Sequence, residues 1–287
     1  MSLGYRVDDL TRKIAKRIGR YRSSVPVRLN GKRGHLFVRK RTTDTEVVWQ
    51  CFVMKQYDVP MVMGGRPIHR NAVARSYGAI VESGKRPLIV DCGANIGASS
   101  IWFKMKYPGA CVIAVEPSPD NAEMMRKNFS AFTEIVPVEV GIGPASGTMF
   151  LEDDGGGAWG YKTVAHETPT RIQIKTVEDI LNDYKSERDI PFILKIDIEG
   201  AEQALFEGPL GAISEFPIII FESHDFYLPG KGTSWPFFKF HCDSGRDFLF
   251  GAENIFSIKM DALPAAGRGE GRADQAELFA LSPPVTS

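Results

Sequence analysis

Four apolar runs in this sequence end in acids, and the residues around those acids could do chemistry. The first, "IVDCGANIGASS" over residues 89–100, closes its run at Asp91 and follows it with Gly93, Asn95 and Gly97. Glycines at a strand-to-helix turn let the backbone bend tightly and approach a ligand, and asparagine tolerates unusual dihedrals or hydrogen-bonds the ligand. The dinucleotide fingerprint needs three glycines as G-x-G-x-x-G. Here the pattern is Gly-x-x-x-Gly with an acid two residues before it, which disfavours a pyrophosphate cradle. A carboxylate at that point repels phosphate and suits a positively charged group, such as an amino group or a sulfonium.

The second run ends in "CVIAVEPSP" and places Glu116 at its tip, where a carboxylate can accept hydrogen bonds from both hydroxyls of a ribose. An acid for a cation followed by an acid for a ribose fits S-adenosylmethionine. Pro117 and Pro119 fix the chain as it leaves the strand, and Asp120 is placed to open a helix.

The third stretch, "FILKIDIEGAEQALFEG" over residues 192–208, ends its run at Asp197 and turns through Glu199, Gly200, Ala201 and Glu202 into a helix. The fourth, "PIIIFESHD", brings Glu222, His224 and Asp225 together. Convergence of these groups at one sheet edge makes them the candidates for catalysis. His224, with an unperturbed pKa of about 6.5, is the first choice for a general base, and Asp197 and Glu222 are alternatives to it or orient it. Asp197, Glu199 and Glu222 are also oxygen ligands that Mg²⁺ accepts, but strand-end carboxylates occur for many reasons, and no required metal is expected. His69 is expected at the surface. "GTSWPFFKF", with Trp235, Phe237 and Phe238, offers either core packing or an aromatic platform for an acceptor.

These residues need strands to carry them. The runs "PLIV", "CVIAV", "IVPVEV", "FILKI" and "PIIIF" are continuous rather than alternating, which suits strands covered on both faces. Helix-like segments separate the first three, so the expected architecture is a doubly wound, largely parallel α/β sheet. "DFLFGAENIFSI" predicts two extended pieces joined by a turn at an antiparallel edge. Upstream, "VPVRLN" and "HLFVRK" predict a hairpin around Asn30-Gly31, and Thr43 or Asp44 is placed to cap a helix. Residues 5–22 set Leu10, Ile14 and Ile18 among seven Arg and Lys in a basic amphipathic pattern, a solvated helix or a peripheral contact with an anionic membrane or partner.

The expected organisation is an N-terminal extension over residues 1–84, with a connector or substrate lid at 60–84, a cofactor-binding domain over 85–260, and a flexible tail over 261–287. Mobile glycines and Trp159 in "EDDGGGAWGY" add an acceptor-facing loop.

Over 287 residues, 35 basic side chains balance 35 acidic ones, so charge gives no support for nucleic-acid binding. Cys51, Cys92, Cys111 and Cys242 lack the spacing of a zinc site or disulfide framework, which points to a reducing, cytoplasmic setting. No segment offers the roughly 20 apolar residues of a membrane span.

Taken in order, "VDCGANIGASS", "AVEPSPDNAEMMRKN", "VGIGPASGTM", "KTVEDIL", "LKIDIEGAEQALFEG" and "IIIFESHD" resemble the FkbM family of S-adenosylmethionine-dependent methyltransferases over about residues 85–225. The "KIDIEGAE" element is the most specific part. The resemblance implies a class I methyltransferase, Rossmann-like fold: a seven-stranded sheet with one antiparallel strand. It implies O-methyl transfer to a hydroxyl of a glycan, glycolipid or polyketide-like metabolite. By this likeness Asp91, Gly93, Asn95 and Gly97 surround the amino-acid part of the cofactor, Glu116 holds its ribose, and Asp197 stands near the sulfonium methyl. Cys92 departs from the small or aliphatic residues usual there, and as a small hydrophobe it leaves the turn intact. Two other readings compete. A nicotinamide-dependent oxidoreductase shares the sheet and the ribose acid, and a non-catalytic scaffold would bind the cofactor and be recruited through the basic helix.

Overall fold

The structure is a computed structural model that describes residues 23–29, 32–61, 65, 67–153, 161–164, 166–225 and 230–263. The predicted hairpin is β1 (Ser24–Leu29) with β2 (Lys32–Phe37), antiparallel in a register that sets Leu29 opposite Lys32. α1 (Asp44–Phe52) follows, with Thr43 at its N-cap position. The basic amphipathic segment, Trp159 and residues 264–287 lie outside the described residues.

α2 (Ile68–Glu82) leads into the alternating part of the chain: β3 (Arg86–Cys92), α3 (Ala98–Lys106), β4 (Cys111–Val115), α4 (Pro119–Phe129) and β5 (Ile135–Val138). After β6 (Gly141–Ile142), β7 (Gly147–Asp153), β8 (Tyr161–Val164) and β9 (Thr170–Lys175) come α5 (Val177–Tyr184), β10 (Asp189–Ile196), α6 (Glu202–Glu207), α7 (Gly211–Ser214) and β11 (Ile218–Glu222). α8 (Trp235–Asp243), β12 (Asp247–Gly251) and β13 (Asn254–Ile258) close the fold.

Seven strands form the central sheet in the order β12-β13-β11-β10-β3-β4-β5. β5, β4, β3, β10 and β11 pair in parallel, while β13 runs antiparallel to both β11 and β12. The class I α/β sheet with one reversed strand is therefore present as expected. Side chains alternate between two faces along each strand, so every central strand must be apolar on both sides. Ile89, Val112, Ile193 and Ile220 pack toward Trp102, Phe103 and Met125 on one face. On the other, Leu88, Ile113, Leu194 and Ile219 pack toward Ile180, Phe206 and Phe237.

Two features depart from the expected organisation. Leu36, Val48, Cys51, Phe52, Tyr57 and Val59 belong to the same hydrophobic cluster as the sheet, so the N-terminal extension is part of the domain core. In the 60–84 segment, read as a connector or lid, α2 buries Ala72 and Val73 in that cluster. The second departure is a four-stranded sheet, β6-β9-β7-β8, which the sequence did not reveal. β9 buries alternate residues in "TRIQIK", and Leu151, Ile172 and Ile174 form a small core.

At the far end of the sheet, Arg86 at the start of β3 forks onto Asp189 at the start of β10 through Nε (2.8 Å) and Nη2 (3.1 Å). Burial alone would raise the Asp189 carboxyl, but the Arg86 guanidinium and the Ser186 amide and hydroxyl outweigh it and hold the carboxyl below its usual range. Asp189→Asn is expected to lower the unfolding free energy by about 2–3 kcal/mol at pH 7. Because the folded pKa is depressed, this contribution is present above the unfolded value of about 3.9 and lost as pH falls through the folded one. Urea titrations of wild type and variant should show their difference closing as pH drops below 4.

Candidate active site

The carboxyl ends of β3, β4, β10 and β11 lie side by side, and Asp91, Glu116, Asp197 and Glu222 sit there. β3 gives way to a turn whose Gly93 and Ala94 amides both donate to the Val115 carbonyl at the end of β4 (3.0 and 2.9 Å). Asn95 takes a left-handed conformation (φ 51°), and its amide donates to Glu116 Oε2 at 2.9 Å. Glu116 Oε1 accepts from the Ser118 amide (3.0 Å) and from Asn121 Nδ2 (3.1 Å). Burial pushes the Glu116 carboxyl up, and these hydrogen bonds pull in the opposite sense.

The two turn glycines fit the protein itself, which the sequence reading did not foresee. A Cβ on Gly93 (φ 80°) would stand 1.7 Å from the Asp197 carbonyl oxygen, and one on Gly97 (φ 85°) 2.4 Å from the Phe129 ring. Asp91 is likewise spent internally. It is fully buried, its Oδ2 accepts from the Ser99 and Ser100 hydroxyls at 2.6 Å each, and its Oδ1 lies 3.2 Å from Lys195 Nζ. Its part at the site is to shape the turn from behind.

Lys195 went unnoticed in the sequence because its neighbours read as a plain buried strand. Its side chain is 1% exposed, and Nζ lies 3.2 Å from both Asp91 Oδ1 and Asp197 Oδ2. It also donates to the carbonyls of Gly93 (2.9 Å) and Cys92 (3.3 Å) and sits over the Tyr57 ring. Burial works against the ammonium, but Tyr57, Asp197 and Asp91 outweigh it, so the lysine stays charged. Cys92 beside it is inert, since burial and the Asp91 charge push its thiol up to about 12.

Beyond β10 the chain turns through Glu199 (φ 53°) and Gly200 (φ 95°). Buried Glu202 shapes this turn by accepting from the amides of Ile198 (3.0 Å) and Gly200 (2.9 Å). Glu202 also faces His224 Nδ1 at 3.0 Å, while His224 Nε2 points at Glu199 (3.5 Å) and Asp197 Oδ1 (3.9 Å). Carboxylates accept and do not donate, so an imidazole with one on each side is held as the imidazolium. Burial opposes that charge, yet Glu202, Asp197 and Glu199 prevail and raise His224 to about 10. In this arrangement His224 is therefore a donor, contrary to the base role that its ordinary pKa suggested. Glu199 is driven up to about 8 by burial and the Asp197 charge, and Glu222 is raised for the same two reasons.

The other expectations divide. Asp225 turns away, accepting from the Thr233 hydroxyl and the Ser234 amide. His69 lies at the sheet edge, 2.9 Å from Asp247. Of the aromatic cluster, Phe237 stacks on Phe221 in the core at 4.0 Å, and Trp235 is 75% exposed.

Residues 91–250 match the family described as Methyltransferase FkbM domain, more than half of the chain. The chain belongs to this family. As an FkbM-domain protein it uses S-adenosylmethionine. Among relatives, it is 28% identical to methyltransferase sdnD of Sordaria araneosa, over 42% of this chain and 60% of that protein. It is 26% identical to the hexuronic acid methyltransferase AglP of Haloferax volcanii, over 50% of this chain and 58% of that one. The FkbM chain thus spans less than two thirds of the length of these relatives. A solved O-methyltransferase from Bacillus cereus in complex with SAH is 15% identical, with 75% of this chain and 90% of that one covered and a TM-score of 0.35. No helix among the described residues is long and apolar enough to cross a membrane.

A side chain at Gly93 has nowhere to go but into the backbone of the Asp197 turn. Gly93→Ala is expected to lower the melting temperature and to weaken cofactor binding at least tenfold. Gly147→Ala, where a Cβ meets nothing within 4 Å, should leave both unchanged in thermal melts and calorimetric titrations.

Proposed function

We propose that this FkbM-domain chain is an O-methyltransferase that moves a methyl group from S-adenosylmethionine to a hydroxyl of a glycan, glycolipid or polyketide-like metabolite. The observation that carries the reading is the alignment of the Gly93–Gly97 turn, Glu116 and Asp197 along one sheet edge, tied together by Lys195. The hexuronic acid named for the Haloferax relative supports a sugar acceptor.

Bound at this edge, the cofactor supplies a methyl group on a positively charged sulfur. Glu116 accepts hydrogen bonds from its ribose, while Gly93, Asn95 and Gly97 shape the bed for its amino-acid end. Asp197, half-buried between Lys195 and His224, keeps one oxygen toward each. Most of the catalytic contribution is positioning, which supplies on the order of 7–11 kcal/mol in favourable cases. The acceptor hydroxyl must give up its proton as it reacts, and a base within reach adds about 10²- to 10⁴-fold. His224 already carries its protons, so a carboxylate of the neighbouring pair Asp197 and Glu222 receives this one, and the His224 imidazolium orients Asp197.

The first test is calorimetric titration with S-adenosylmethionine, its demethylated product and NADH. The first two should bind wild type, and Glu116→Ala should weaken both by about 10- to 100-fold, the worth of hydrogen bonds to a charged acceptor. NADH binding without S-adenosylmethionine binding would favour the oxidoreductase reading instead. With cofactor binding established, methyl transfer to a panel of uronic acids and glycosides separates an enzyme from a scaffold.

A further inference from the structure

Asp197, Glu199 and His224 present three ligand atoms that lie within 4.8 Å of one another. Ligands held at about 2.1 Å from one ion stand about 3 Å apart when adjacent and about 4 Å apart when opposed. The measured 3.5 and 3.9 Å from His224 Nε2 to the two carboxylates are therefore within a small side-chain movement of a shared ion. Lys195 occupies Asp197 Oδ2 and leaves Oδ1 to the cluster.

The second nitrogen of His224 faces the buried Glu202 carboxylate at 3.0 Å. A carboxylate behind an imidazole fixes the ring and strengthens its other nitrogen as a ligand, an arrangement that accompanies metal-bound histidines. An independent observation comes from the adjoining strand. Asn254, 1% exposed, pairs directly with Glu222 across β13 and β11, on the same face of the sheet as Glu222. Neither its Oδ1 nor its Nδ2 has a hydrogen-bond partner among the described residues. A buried amide left so is destabilising, and a polar ligand or the water shell of an ion would satisfy it.

We infer that Asp197, Glu199 and His224 form a binding site for one divalent cation, with Glu202 setting the His224 ring and Asn254 facing the ion's water shell. Two carboxylates and one imidazole suit Mn²⁺ better than Mg²⁺, which prefers oxygen alone, and the site lacks the thiolates that select softer metals. The cation takes the place of the proton on His224 Nε2. Where methyl transfer to a hydroxyl is the reaction, an ion here binds the acceptor oxygen and eases loss of its proton; that consequence rests on the proposed function, and the site itself does not.

The test is a titration of the chelator-stripped full chain with MnCl₂, following free Mn²⁺ by electron paramagnetic resonance, with S-adenosylmethionine affinity measured separately by calorimetry. One Mn²⁺ per chain is expected, weakened at least tenfold in Glu199→Gln and about 10- to 100-fold in Glu202→Gln. Glu178→Gln, an exposed acid on α5 outside the cluster, should match wild type. Glu199 is 39% exposed at its side chain, so its replacement should fold, and Mn²⁺ should raise the melting temperature of wild type but not of Glu199→Gln. No Mn²⁺ binding by a chain that still binds S-adenosylmethionine, or equal binding by wild type and Glu199→Gln, would overturn the site. Mn²⁺ binding without S-adenosylmethionine binding would uphold the site and remove the proposed function.

Discussion

An ammonium buried in the middle of a sheet is stable only where opposite charge and carbonyl oxygens surround it, and much of this molecule is arranged around that requirement at Lys195. The ammonium draws together Asp91 at the end of β3, Asp197 beyond β10, and two carbonyls of the glycine turn. Two loops far apart in the chain thereby become one rigid edge. The absence of a side chain at Gly93 permits the approach, because the Asp197 carbonyl occupies the space a Cβ would need. Charge matching and backbone proximity thus depend on each other.

A second chain of polar contacts links the N-terminal extension to the same edge. Arg39 grips the fully buried Asp44 with Nε (3.0 Å) and Nη2 (2.9 Å), and Nη2 also donates to Asn121 Oδ1 at 2.7 Å. Asn121 in turn donates to Glu116. Glu116 is therefore held by a relay that begins before α1. Tyr57 from the same extension lies against Lys195, so the segment before the parallel sheet contributes to the site as well as to the core.

Electrostatically the edge has two halves. Around Asp91 the balance is closed, with Lys195 and two serine hydroxyls satisfying the carboxylate. Around His224 it is open: Asp197, Glu199, Glu202 and Glu222 crowd one imidazole, and burial together with the Asp197 charge raises Glu199 and Glu222. A closed half suits a fixed cofactor bed. The open half has spare ligand capacity.

The strands that carry the site were legible because burial on both faces leaves continuous apolar runs, and the acids that close those runs mark the strand ends without reference to anything distant. The positions of Asp91, Glu116, Asp197, Glu222 and His224 follow from that local signal, and the turn within "DFLFGAENIFSI" marks the antiparallel pair of β12 and β13. The small sheet of β6 to β9 escaped because its strands are short and none carries a continuous apolar run like those of the central sheet. What each acid faces was decided by tertiary structure. The spacing of Lys195 says nothing about which carboxylates it meets, since that depends on the parallel register that sets Lys195 beside Asp91. Likewise the ordinary pKa of histidine suggested a base at His224, but Glu202, brought across from a helix, makes that ring a donor. Periodicity is a property of neighbours in sequence, whereas charge, hydrogen bonding and desolvation belong to neighbours in space, and only the folded chain determines those.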